Sequence, residues 1–518
     1  MLKNVASLPS LISKVKSDIP ALLPHLISDM PIYSKKKFTK WDVSRGGVEL
    51  SQVCDADEEV FNTLVAASSD CVRRYDYCPT RMHETLSKTA DIMTAKAEEL
   101  AVLSSLDNGV CVTENMNFNV KASIDVIRFY AGFVKERSFK TRVDLSEEEH
   151  RHLYCAEKPH GICLNIASYN YPLHSLCLVI GGCIGSGNVL IHKASPASPL
   201  TSNFMFQILQ EAGLDKGLFS VVHSDDGNRF NIVEKLIDGR HVDHVTFTGS
   251  TGTAQHIATL CGANLIPTNL EGGGKNSIIL NSDISLSDGV ENVINGNFVN
   301  NGAVCSNCTV AYVHSDIIDE FTDELIKSTR SLITDDPLSP KTDIGSVIQH
   351  PDRLKQYNYI MQFCKEHEKH DDVELLYDGP LQYKSGAGDG DGDERSVLPF
   401  ITPKIYKCDI HSKTALLTED IFGPVLTIVE FEDVDLVMDK INNSTPHGLA
   451  CGIMTSDAEL IEKVTSEAKT GVVYVNKCYN EQPVEMGFGG CGMTGGGVLG
   501  GVEGWERYNR KMRVLGQG

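Results

Sequence analysis

Two residues in glycine-rich surroundings carry the side chains of this chain that are best suited to chemistry. Cys305 closes the run GAVC at 302–305, and Glu271, 34 positions earlier, opens the run EGGGK at 271–275. A thiolate attacks an electrophilic carbon, and a carboxylate acting as general base later activates the water that releases the acyl group. A cysteine among small residues is more often an inert packed thiol, so the rest of the chain must agree. The pair points first to acyl transfer through cysteine.

Six short motifs extend this pair into a pattern along most of the chain. They are SYNYP at 168–172, FTGS at 247–250, EGGGK at 271–275, GAVC at 302–305, EDIFGP at 419–424 and MGFGG at 486–490. In order and spacing they resemble the aldehyde dehydrogenase superfamily, and the resemblance covers roughly residues 55 to 515. One such motif would be a common accident, whereas six in the family's order are very hard to obtain by chance.

The composition is that of an acidic globular protein. A chain of 518 residues is too long for one compact core, which predicts two or three domains. The formal net charge of −22 repels phosphate backbones and anionic lipids, so nucleic acids and membranes are disfavoured as partners. No uninterrupted apolar run reaches the ~20 residues that span a bilayer. A small-molecule enzyme fits these properties best.

The cysteines indicate a reducing compartment. The 16 cysteines are scattered singly, without the short spacing of a secreted disulfide framework, and a catalytic thiol must stay reduced. A cytoplasmic location is therefore expected. Met1–Met30 has lysines and serines that weakly resemble a mitochondrial transit peptide, although it lacks arginine and contains Asp18.

Cys305 and Cys308 form a Cys-x-x-Cys pair, which is the spacing of redox and zinc sites. A zinc site needs two more ligands, and the sequence shows no second pair, so no metal is predicted. One hypothesis is reversible inactivation through a disulfide between these two cysteines. In the other, Cys308 only packs.

The order of apolar patterns predicts a helical layer followed by a doubly wound fold. Residues from about 56 to 137 repeat apolar side chains at the three- and four-residue steps of helices. Short apolar runs then alternate with helical stretches, which predicts parallel sheets with ligands beyond the carboxyl ends of the strands. Strands are expected at 162–166, 189–192, 219–222 and 245–248, and in a second block at 277–280, 309–313, 425–429 and 471–476.

The resemblance implies an α/β fold of the aldehyde dehydrogenase type, divided into three parts. A Rossmann-type dinucleotide-binding domain is expected at 1–137 and 161–272, an α/β catalytic domain at 273–478, and an oligomerisation hairpin with a bridging tail at 138–160 and 479–518. In the family this hairpin pairs with the C-terminal tail of another subunit, and a loose surface loop is the alternative for Phe139–Pro159. The acidic stretch Lys384–Glu394 lacks the glycine and glutamate of a calcium loop and is expected to be a mobile insertion.

The resemblance also implies three catalytic roles. Cys305 is the expected nucleophile, and Glu271 is the expected base for water. The side-chain amide of Asn170, together with the backbone N–H of Cys305, is expected to donate to the oxyanion of the intermediate; alone, Asn170 would be interpreted as a turn residue before proline. Glu271 favours release of a carboxylic acid over transfer to coenzyme A, because acylating relatives lack it. Gly272 stands where leucine is common and is expected to loosen the backbone of Glu271.

Oxidation of the intermediate needs a hydride acceptor, which a bound nicotinamide supplies and no side chain can. NAD or NADP is therefore the expected cofactor. Pro196 stands where many NAD-preferring relatives carry a glutamate that repels a 2′-phosphate, whereas Asp225 and Asp226 would disfavour that phosphate. Asp420 is one methylene shorter than the family's usual glutamate. By resemblance, the residues expected to bind the cofactor are Ile166, Ser168, Tyr169, Lys193, Gly249, Ser250, Gly273, Asp420 and Phe422.

The expected substrate is a small aldehyde, and its identity is left open. Residues 475–486 resemble betaine-aldehyde and aminoaldehyde dehydrogenases, and carboxylates such as Glu481 and Glu485 suit a cationic aldehyde. The same acids would equally serve at a surface or subunit contact, so aliphatic and aromatic aldehydes stay open. The family implies a homodimer or homotetramer. Two other functions remain: a non-catalytic scaffold or structural protein on this fold, and a cysteine esterase that needs no cofactor.

Overall fold

The computed structural model describes residues 7–137, 140–142, 151–225, 227, 229–381, 398–477 and 481–517, with 140–142, 151–153 and 515–517 described by their backbone alone. The acidic insertion expected at 384–394 lies outside these residues. Within the described ranges, no helix combines the length and the apolar character needed to cross a membrane.

The helical layer predicted from about 56 to 137 is present as a run of consecutive helices. In chain order the α-helices are α1 (Leu8–Asp18), α2 (Glu58–Arg74), α3 (Pro79–Ala95), α4 (Ala97–Asn108), α5 (Val112–Glu114), α6 (Lys121–Glu136), α7 (Pro172–Val179), α8 (Leu200–Ala212), α9 (Ile232–Asp238), α10 (Thr251–Asn264), α11 (Leu286–Asn297), α12 (Ile318–Thr329), α13 (Pro351–His367), α14 (Val434–Asn443), α15 (Ala458–Glu467) and α16 (Gly501–Arg507). Short π-helical turns run at Asn115–Val120 and Ile180–Ile184, and 3-10 turns at Val299–Gly302 and Ala415–Leu417. Helices α2 to α6 form the predicted layer.

Each predicted strand is present with its ends shifted by at most two residues. In chain order the strands are β1 (Leu22–Leu23), β2 (His25–Ile27), β3 (Met30–Ile32), β4 (Lys37–Trp41), β5 (Glu49–Cys54), β6 (Lys140–Arg142), β7 (Arg151–Pro159), β8 (Ile162–Ile166), β9 (Val189–Lys193), β10 (Phe219–Val222), β11 (His244–Thr248), β12 (Thr268–Glu271), β13 (Asn276–Leu280), β14 (Cys308–His314), β15 (Val373–Asp378), β16 (Lys404–Cys408), β17 (Val425–Phe431), β18 (His447–Gly448), β19 (Ala450–Met454), β20 (Val472–Val475), β21 (Cys491–Gly492) and β22 (Asn509–Gln517). The sequence did not predict β12, β15, β16, β18, β19 and β21, or the N-terminal strands β1 to β5.

A doubly wound sheet forms the first half of the fold. Its seven strands have the order β12-β11-β8-β9-β10-β2-β3, in which β8 to β12 run parallel and β2 and β3 join antiparallel. Strands β8, β9 and β10 are buried along their whole length, as expected for parallel strands covered on both faces. Ile166 pairs with Lys193, and Lys193 pairs with Val222, so the carboxyl ends of these strands lie level at one edge.

A second sheet of seven strands follows, in the order β15-β16-β17-β14-β13-β19-β20. All of its pairs are parallel except the pair of β15 and β16. β12 ends at Glu271 and β13 begins at Asn276, so a short link joins the two sheets. Cys305 lies just before β14, and Phe422 lies just before β17. The carboxyl edge of the first sheet and the amino edge of the second therefore supply the predicted site residues together.

The C-terminal strand pairs within its own chain. β22 runs antiparallel to β7 from Asn509, opposite Pro159, to Gln517, opposite Arg151, and β6 lies on the other side of β7. The expectation that this hairpin pairs with the tail of another subunit is therefore wrong, and so is the loose-loop alternative for 151–159. The boundaries predicted for the three domains remain a prediction.

The N-terminal residues belong to the folded core. Helix α1 buries Leu8 and Val15 in the main apolar cluster. Strand β2 extends the first sheet, with Leu26 opposite Val221. From Leu8 onward the N-terminal residues therefore pack as part of the fold.

Candidate active site

The turn before Cys305 has a backbone conformation that most residues avoid. Asn300, Asn301 and Gly302 have φ angles of 53°, 58° and 70°, all in the left-handed region. A side chain at Gly302 would clash with the backbone of Gly423, so glycine is required there. A left-handed non-glycine residue costs about 1–3 kcal/mol and persists only where its surroundings impose it. The turn is thus held by its contacts and not by its own preference.

The predicted oxyanion donor is bonded to the loop of the predicted nucleophile. The amide Nδ2 of Asn170 donates to the carbonyl of Ala303 at 2.9 Å. The Ser168 hydroxyl donates to Asn170 Oδ1 at 2.8 Å and so fixes which way the amide points. A side-chain amide nitrogen carries two N–H groups, and only one is used here among the described contacts. The second N–H is available to a substrate oxygen.

Cys305 is half-buried as a residue. Burial, and next the charge of Glu271, raise the pKa of Cys305 to about 12, although the N–H of Ser306 opposes this. The carbonyl of Cys305 accepts from Asn276 Nδ2 at 2.9 Å, which anchors the residue to β13. In the cofactor-free protein the thiol is therefore protonated at neutral pH.

Cys308 packs away in the second sheet. It is fully buried as the first residue of β14, and its electrostatic neighbours are Cys451 and Lys275. This environment favours the packing interpretation over the disulfide hypothesis. In the part of the chain that the structure describes, no three His, Cys, Asp or Glu side chains come together to hold a metal ion.

Glu271 ends β12 with its carboxylate in a hollow. Its side chain is 4% exposed, and neither carboxylate oxygen has a hydrogen-bond partner within the described residues. A Cβ placed at Gly497 would lie 2.6 Å from Glu271 Oε1, and one at Gly489 would lie 3.2 Å away, so glycines of the C-terminal segment create this space. Burial raises the pKa of Glu271 well above its usual range. A buried carboxyl group without a partner is costly, which marks it as a candidate functional group.

The backbone beside Glu271 is clamped by the C-terminal segment. The N–H of Gly272 donates to the Thr494 carbonyl at 2.6 Å, and the Thr494 hydroxyl donates to the carbonyl of Gly273 at 2.9 Å. A Cβ at Gly272 would lie 2.9 Å from the Thr494 oxygen. The expectation that Gly272 loosens this backbone is therefore wrong, because glycine is what allows the two segments to approach.

Two aromatic residues of the predicted cofactor set meet at the junction of the sheets. The rings of Tyr169 and Phe422 lie edge to face with centroids 6.2 Å apart, and the guanidinium of Arg353 lies 4.1 Å above the Tyr169 ring. Phe422 has a left-handed φ of 54°, which is a genuine outlier for a bulky residue. All three line a small cavity of about 40 Å³ that also reaches Asn170.

Asp420 and Lys275 interact electrostatically, and the buried Lys275 has unused hydrogen-bonding capacity. Burial raises the pKa of Asp420 to about 7, against the opposing charge of Lys275. Burial lowers the pKa of Lys275 to about 8, and its ammonium has no hydrogen-bond partner among the described residues. A side chain at Gly273 would clash with the Asp420 carboxylate, so the glycine allows close approach. Such a pair fits a ligand that carries hydroxyl groups.

The start of α10 is open, as a diphosphate site requires. Ser250 caps this helix, no acidic residue lies in its first turn, and a Cβ at Gly252 would meet nothing within 4 Å. The N–H of Gly249 donates to the Glu271 carbonyl at 3.0 Å, so this turn lies beside the predicted base. Free N–H groups and the helix dipole favour an anion here.

Ile166 and Lys193 end two neighbouring strands of the first sheet, β8 and β9. β9 lies two strands from β11, which leads into the start of α10. Strands in a sheet lie about 4.8 Å apart, so Lys193 is about 10 Å from that helix along the edge. The predicted cofactor residues thus form an extended row rather than one cluster, which suits a dinucleotide.

Sequence reasoning missed the residues that hold the site in place. Asn300 and Lys275 lie inside or beside the quoted motifs, but nothing in the motifs showed what their side chains contact. No sequence pattern marks Glu114, because its partner Asn300 is 186 residues away. Thr494 is likewise 221 residues from Gly273. Only an arrangement in space reveals such contacts.

Known proteins share this fold and sequence pattern. The model of the Aldehyde dehydrogenase family matches residues 35–514. A betaine aldehyde dehydrogenase from Brucella anthropi is 29% identical over 465 residues, covering 90% of this chain and 91% of that protein. The crystal structure of gamma-glutamyl-gamma-aminobutyraldehyde dehydrogenase from Burkholderia cenocepacia gives a TM-score of 0.87 at 24% identity, covering 98% of this chain and 99% of that one. The NAD+ complex of an aldehyde dehydrogenase from Bacillus cereus gives 0.86 at 23% identity, covering 97% and 98%. The resemblance and the α/β fold class are confirmed.

Proposed function

Since this chain belongs to the aldehyde dehydrogenase family and is an NAD(P)-dependent oxidoreductase that acts on aldehydes, we propose that Cys305 is its nucleophile, Asn170 its oxyanion donor and Glu271 its base. The observation that carries the proposal is the 2.9 Å hydrogen bond from Asn170 Nδ2 to the Ala303 carbonyl. It joins the loop of the donor to the loop of the nucleophile. The scaffold alternative is not favoured.

Attack by Cys305 requires loss of the thiol proton. Burial raises the pKa values of both Cys305 and Glu271, so it favours the protonated form of each group in the cofactor-free protein. Each must be deprotonated for its own step, the thiol to attack and the carboxyl to activate water. The rate is therefore expected to rise with pH across the neutral range.

The attack places negative charge on the aldehyde oxygen. The unused N–H of Asn170 and the backbone N–H of Cys305 are the donors proposed to stabilise it. Both are fixed before the substrate arrives, Asn170 through Ser168 and Ala303, and Cys305 through Asn276. Donors that are already oriented do not have to reorganise during the reaction, which is why they lower the barrier.

The cofactor is proposed to lie along the edge of the first sheet. A bound nicotinamide would supply the hydride acceptor for the oxidation. Tyr169 and Phe422 would flank that end, with Asp420 and Gly273 at its ribose, Gly249 and Ser250 at the diphosphate, and Ile166, Ser168 and Lys193 along the remaining edge. The open start of α10 and the unpartnered ammonium of Lys275 beside Asp420 support this placement.

Either NAD or NADP serves the chemistry, and we propose that NAD is preferred. Asp225 follows β10, whose end is level with Lys193. The Asp225 carboxylate lies 3.4 Å from Nε2 of His350, and the Asp225 N–H donates to Asp55 at 3.1 Å, so this acid is fixed in place. A fixed carboxylate at the adenosine end would repel a 2′-phosphate.

Glu271 is proposed to activate the water that releases the carboxylic acid. Its oxygens face a hollow that Gly489 and Gly497 keep open, and they have no protein partner within the described chain. A buried water needs two to four polar partners, and the two carboxylate oxygens of Glu271 can serve as acceptors for it. A high pKa makes the ionised carboxylate a strong base for this step.

We propose a cationic aldehyde as substrate. Burial, and then the charges of Glu114 and Cys305, raise the pKa of Tyr171, and Tyr474 contributes in the same direction, so these groups lie close together. Aromatic residues near the nucleophile suit a quaternary or primary ammonium group. The acids of 475–486 give no support, because Glu481 is exposed and pairs with Lys477 at 3.2 Å.

A homodimer or homotetramer in the cytoplasm is proposed as the working form. The three-stranded sheet of β6, β7 and β22 leaves β22 at an edge, where another chain can add. The cysteines of the described residues are free thiols, as a reducing compartment maintains them. Light scattering after size-exclusion chromatography would give the subunit number, and fractionation of the source cells the location.

The test is cofactor reduction by the purified protein with a panel of aldehydes. The panel contains betaine aldehyde, aminobutyraldehyde, propanal and benzaldehyde, each with NAD and with NADP. Cys305→Ala is expected to abolish turnover, whereas the matched control Cys308→Ala is expected to keep it. Turnover that survives Cys305→Ala would overturn the mechanism. Silence of the folded wild-type protein on every aldehyde would favour the scaffold, and a preference for the uncharged aldehydes would overturn the cationic substrate.

A further inference from the structure

Glu114 places a carboxylate against the turn that precedes the nucleophile. It is the last residue of α5, in the helical layer of the first half of the fold. The N–H of Asn300 donates to both of its oxygens, at 2.8 Å and 2.9 Å. The residue that begins the left-handed turn is therefore held from a different part of the molecule.

The same turn is held by the helical layer at its next residue. Asn301 Nδ2 donates to the Gly109 carbonyl at 3.1 Å, and Asn301 Oδ1 accepts from the N–H of Gly345 at 2.7 Å. Asn300 and Asn301 are both left-handed, so both need contacts that impose this conformation. Among these contacts, the Glu114 carboxylate is the group that accepts from the backbone N–H of Asn300.

Asn300 in turn contacts the backbone of the two loops that carry Asn170 and Cys305. Its Nδ2 donates to the carbonyl of Asn170 at 3.3 Å and to that of Ala303 at 3.1 Å. The Ala303 carbonyl is also the acceptor of the Asn170 amide. A displacement of Asn300 would therefore change the position of the oxyanion donor relative to Cys305.

We propose that Glu114 is a positioning residue of the catalytic centre, which holds Asn300 and thereby fixes Asn170 relative to Cys305. The proposal rests on the roles assigned above to those two residues. It adds a function to a carboxylate that touches neither substrate nor cofactor in the proposed mechanism.

The electrostatics of Glu114 show that burying an acid at this place has a cost. Burial raises its pKa to about 7, the Asn300 N–H opposes this, and Asp343 adds to the increase. Cys111 and Tyr171 are the other titratable groups that it influences. Burial disfavours the charged form, so a neutral side chain of the same shape would be easier to accommodate.

Three substitutions separate the reach of this side chain from its charge. Glu114→Gln keeps the length and an acceptor oxygen, Glu114→Asp keeps the charge but is one methylene too short to reach Asn300, and Glu114→Ala removes both. Glu84→Gln, at an exposed position, is the matched control. The readouts are kcat and KM with an aldehyde, and the rate at which iodoacetamide alkylates Cys305 in the cofactor-free protein, followed by mass spectrometry.

We expect kcat to fall about 10- to 100-fold for Asp and Ala, and KM to stay within about threefold, because a misplaced catalytic group costs this much in rate. Gln is expected to stay within about threefold of wild type in both. Alkylation of Cys305 should follow the same order, with Asp and Ala slower than Gln.

Three results would overturn the proposal: Ala with wild-type kcat, Asp as active as Gln or more so, or a loss confined to KM. If Ala does not fold, the pair of Asp and Gln decides. If the wild-type protein oxidises no aldehyde, the proposed function fails, and the alkylation order still tests Glu114, since that reaction needs neither aldehyde nor cofactor. Equal alkylation rates in all variants would then overturn the positioning role.

Discussion

The turn before Cys305 and the carboxylate of Glu271 are held in opposite ways. In the turn, the side chains of Asn300 and Asn301 bond to backbone groups of distant segments, and the Asn300 N–H is bonded as well. At Glu271 the backbone is clamped through Gly272 and Thr494, but both carboxylate oxygens lack a partner among the described residues. The turn is held through side chains as well as backbone, whereas Glu271 is held only through its backbone.

The difference matches the order of the proposed reaction. The nucleophile and the oxyanion donor act first and together, so their relative position must be set before the aldehyde binds. The base acts later, on a water that reaches the site after the thioester has formed. A carboxylate with unused acceptors in a glycine-lined hollow can receive that water, whereas one already bonded to protein could not.

Glu271→Gln is expected to have the largest effect on turnover among the substitutions that test this comparison. The amide cannot accept a proton, so the thioester should form but hydrolyse about 10²- to 10⁴-fold more slowly. Rapid-mixing absorbance should show a burst of one reduced nicotinamide per Cys305, followed by slow turnover. Steady-state turnover at the wild-type rate would show that Glu271 is not the base.

The stability of Glu271→Gln serves as a control, because the raised pKa of Glu271 fixes the direction in which its stability should differ from that of wild type. The pKa of Glu271 is raised in the folded protein, so the stability that its protonated form contributes is present at low pH and is lost as pH rises through that pKa. The glutamine variant avoids this loss, and its thermal unfolding midpoint should therefore equal or exceed that of wild type at alkaline pH. A lower midpoint would attribute its inactivity to misfolding.

Asn170→Ala tests the fixed half of the comparison. Removal of one oxyanion donor is expected to lower kcat about 10²- to 10³-fold. Alkylation of Cys305 by iodoacetamide develops no oxyanion and should change much less. Ser168→Ala, which removes only the hydroxyl that orients the Asn170 amide, should have a smaller effect in the same direction. Equal losses in turnover and alkylation would mean that Asn170 only supports the loop.

The sequence alone predicted the strands that are continuously apolar and the residues that react. Strands such as β8 and β10 are buried on both faces, so their composition shows where they begin and end. Cys305, Glu271 and Asn170 lie in short motifs whose order along the chain identified the family. β12 was missed because its residues Thr268–Glu271 are partly polar and alternate in burial.

What could not be predicted were contacts between distant segments. Glu114 reaches Asn300 only because α5 and the turn pack together, and Thr494 reaches Gly273 only because the C-terminal segment returns to β12. Neither residue belongs to a periodic pattern. The hairpin was assigned the wrong partner for a related reason: a sequence shows that β22 can pair, but not whether its partner is in the same chain.

Thr494→Val tests whether the hydrogen bond that holds the backbone at Gly273 also positions the carboxylate of Glu271. The substitution keeps the volume and removes the hydroxyl that donates to the Gly273 carbonyl and accepts from the Gly448 N–H. Loss of such a bond is expected to lower steady-state turnover about three- to tenfold, while the burst keeps its rate, because only the base is displaced. Thr494→Ser keeps the hydroxyl and should resemble wild type. A slower burst would show that the clamp also serves the nucleophile.

The smallest expected effect is a pH dependence of cofactor affinity that arises from Asp420. Burial raises its pKa to about 7, so the carboxyl is mostly ionised at higher pH and mostly protonated at lower pH. An ionised carboxylate is the better acceptor for ribose hydroxyls, so the cofactor dissociation constant should increase about threefold as pH falls from about 8 to about 6. Lys275 and Glu419 are the charged groups that act on Asp420, and burial lowers the pKa of Lys275 only to about 8, so the lysine stays charged over most of this range. Calorimetric titration of the cofactor would measure the change. Asp420→Asn should remove the pH dependence and Glu419→Gln should preserve it, whereas a wild-type affinity that is constant over this range would separate Asp420 from the ribose.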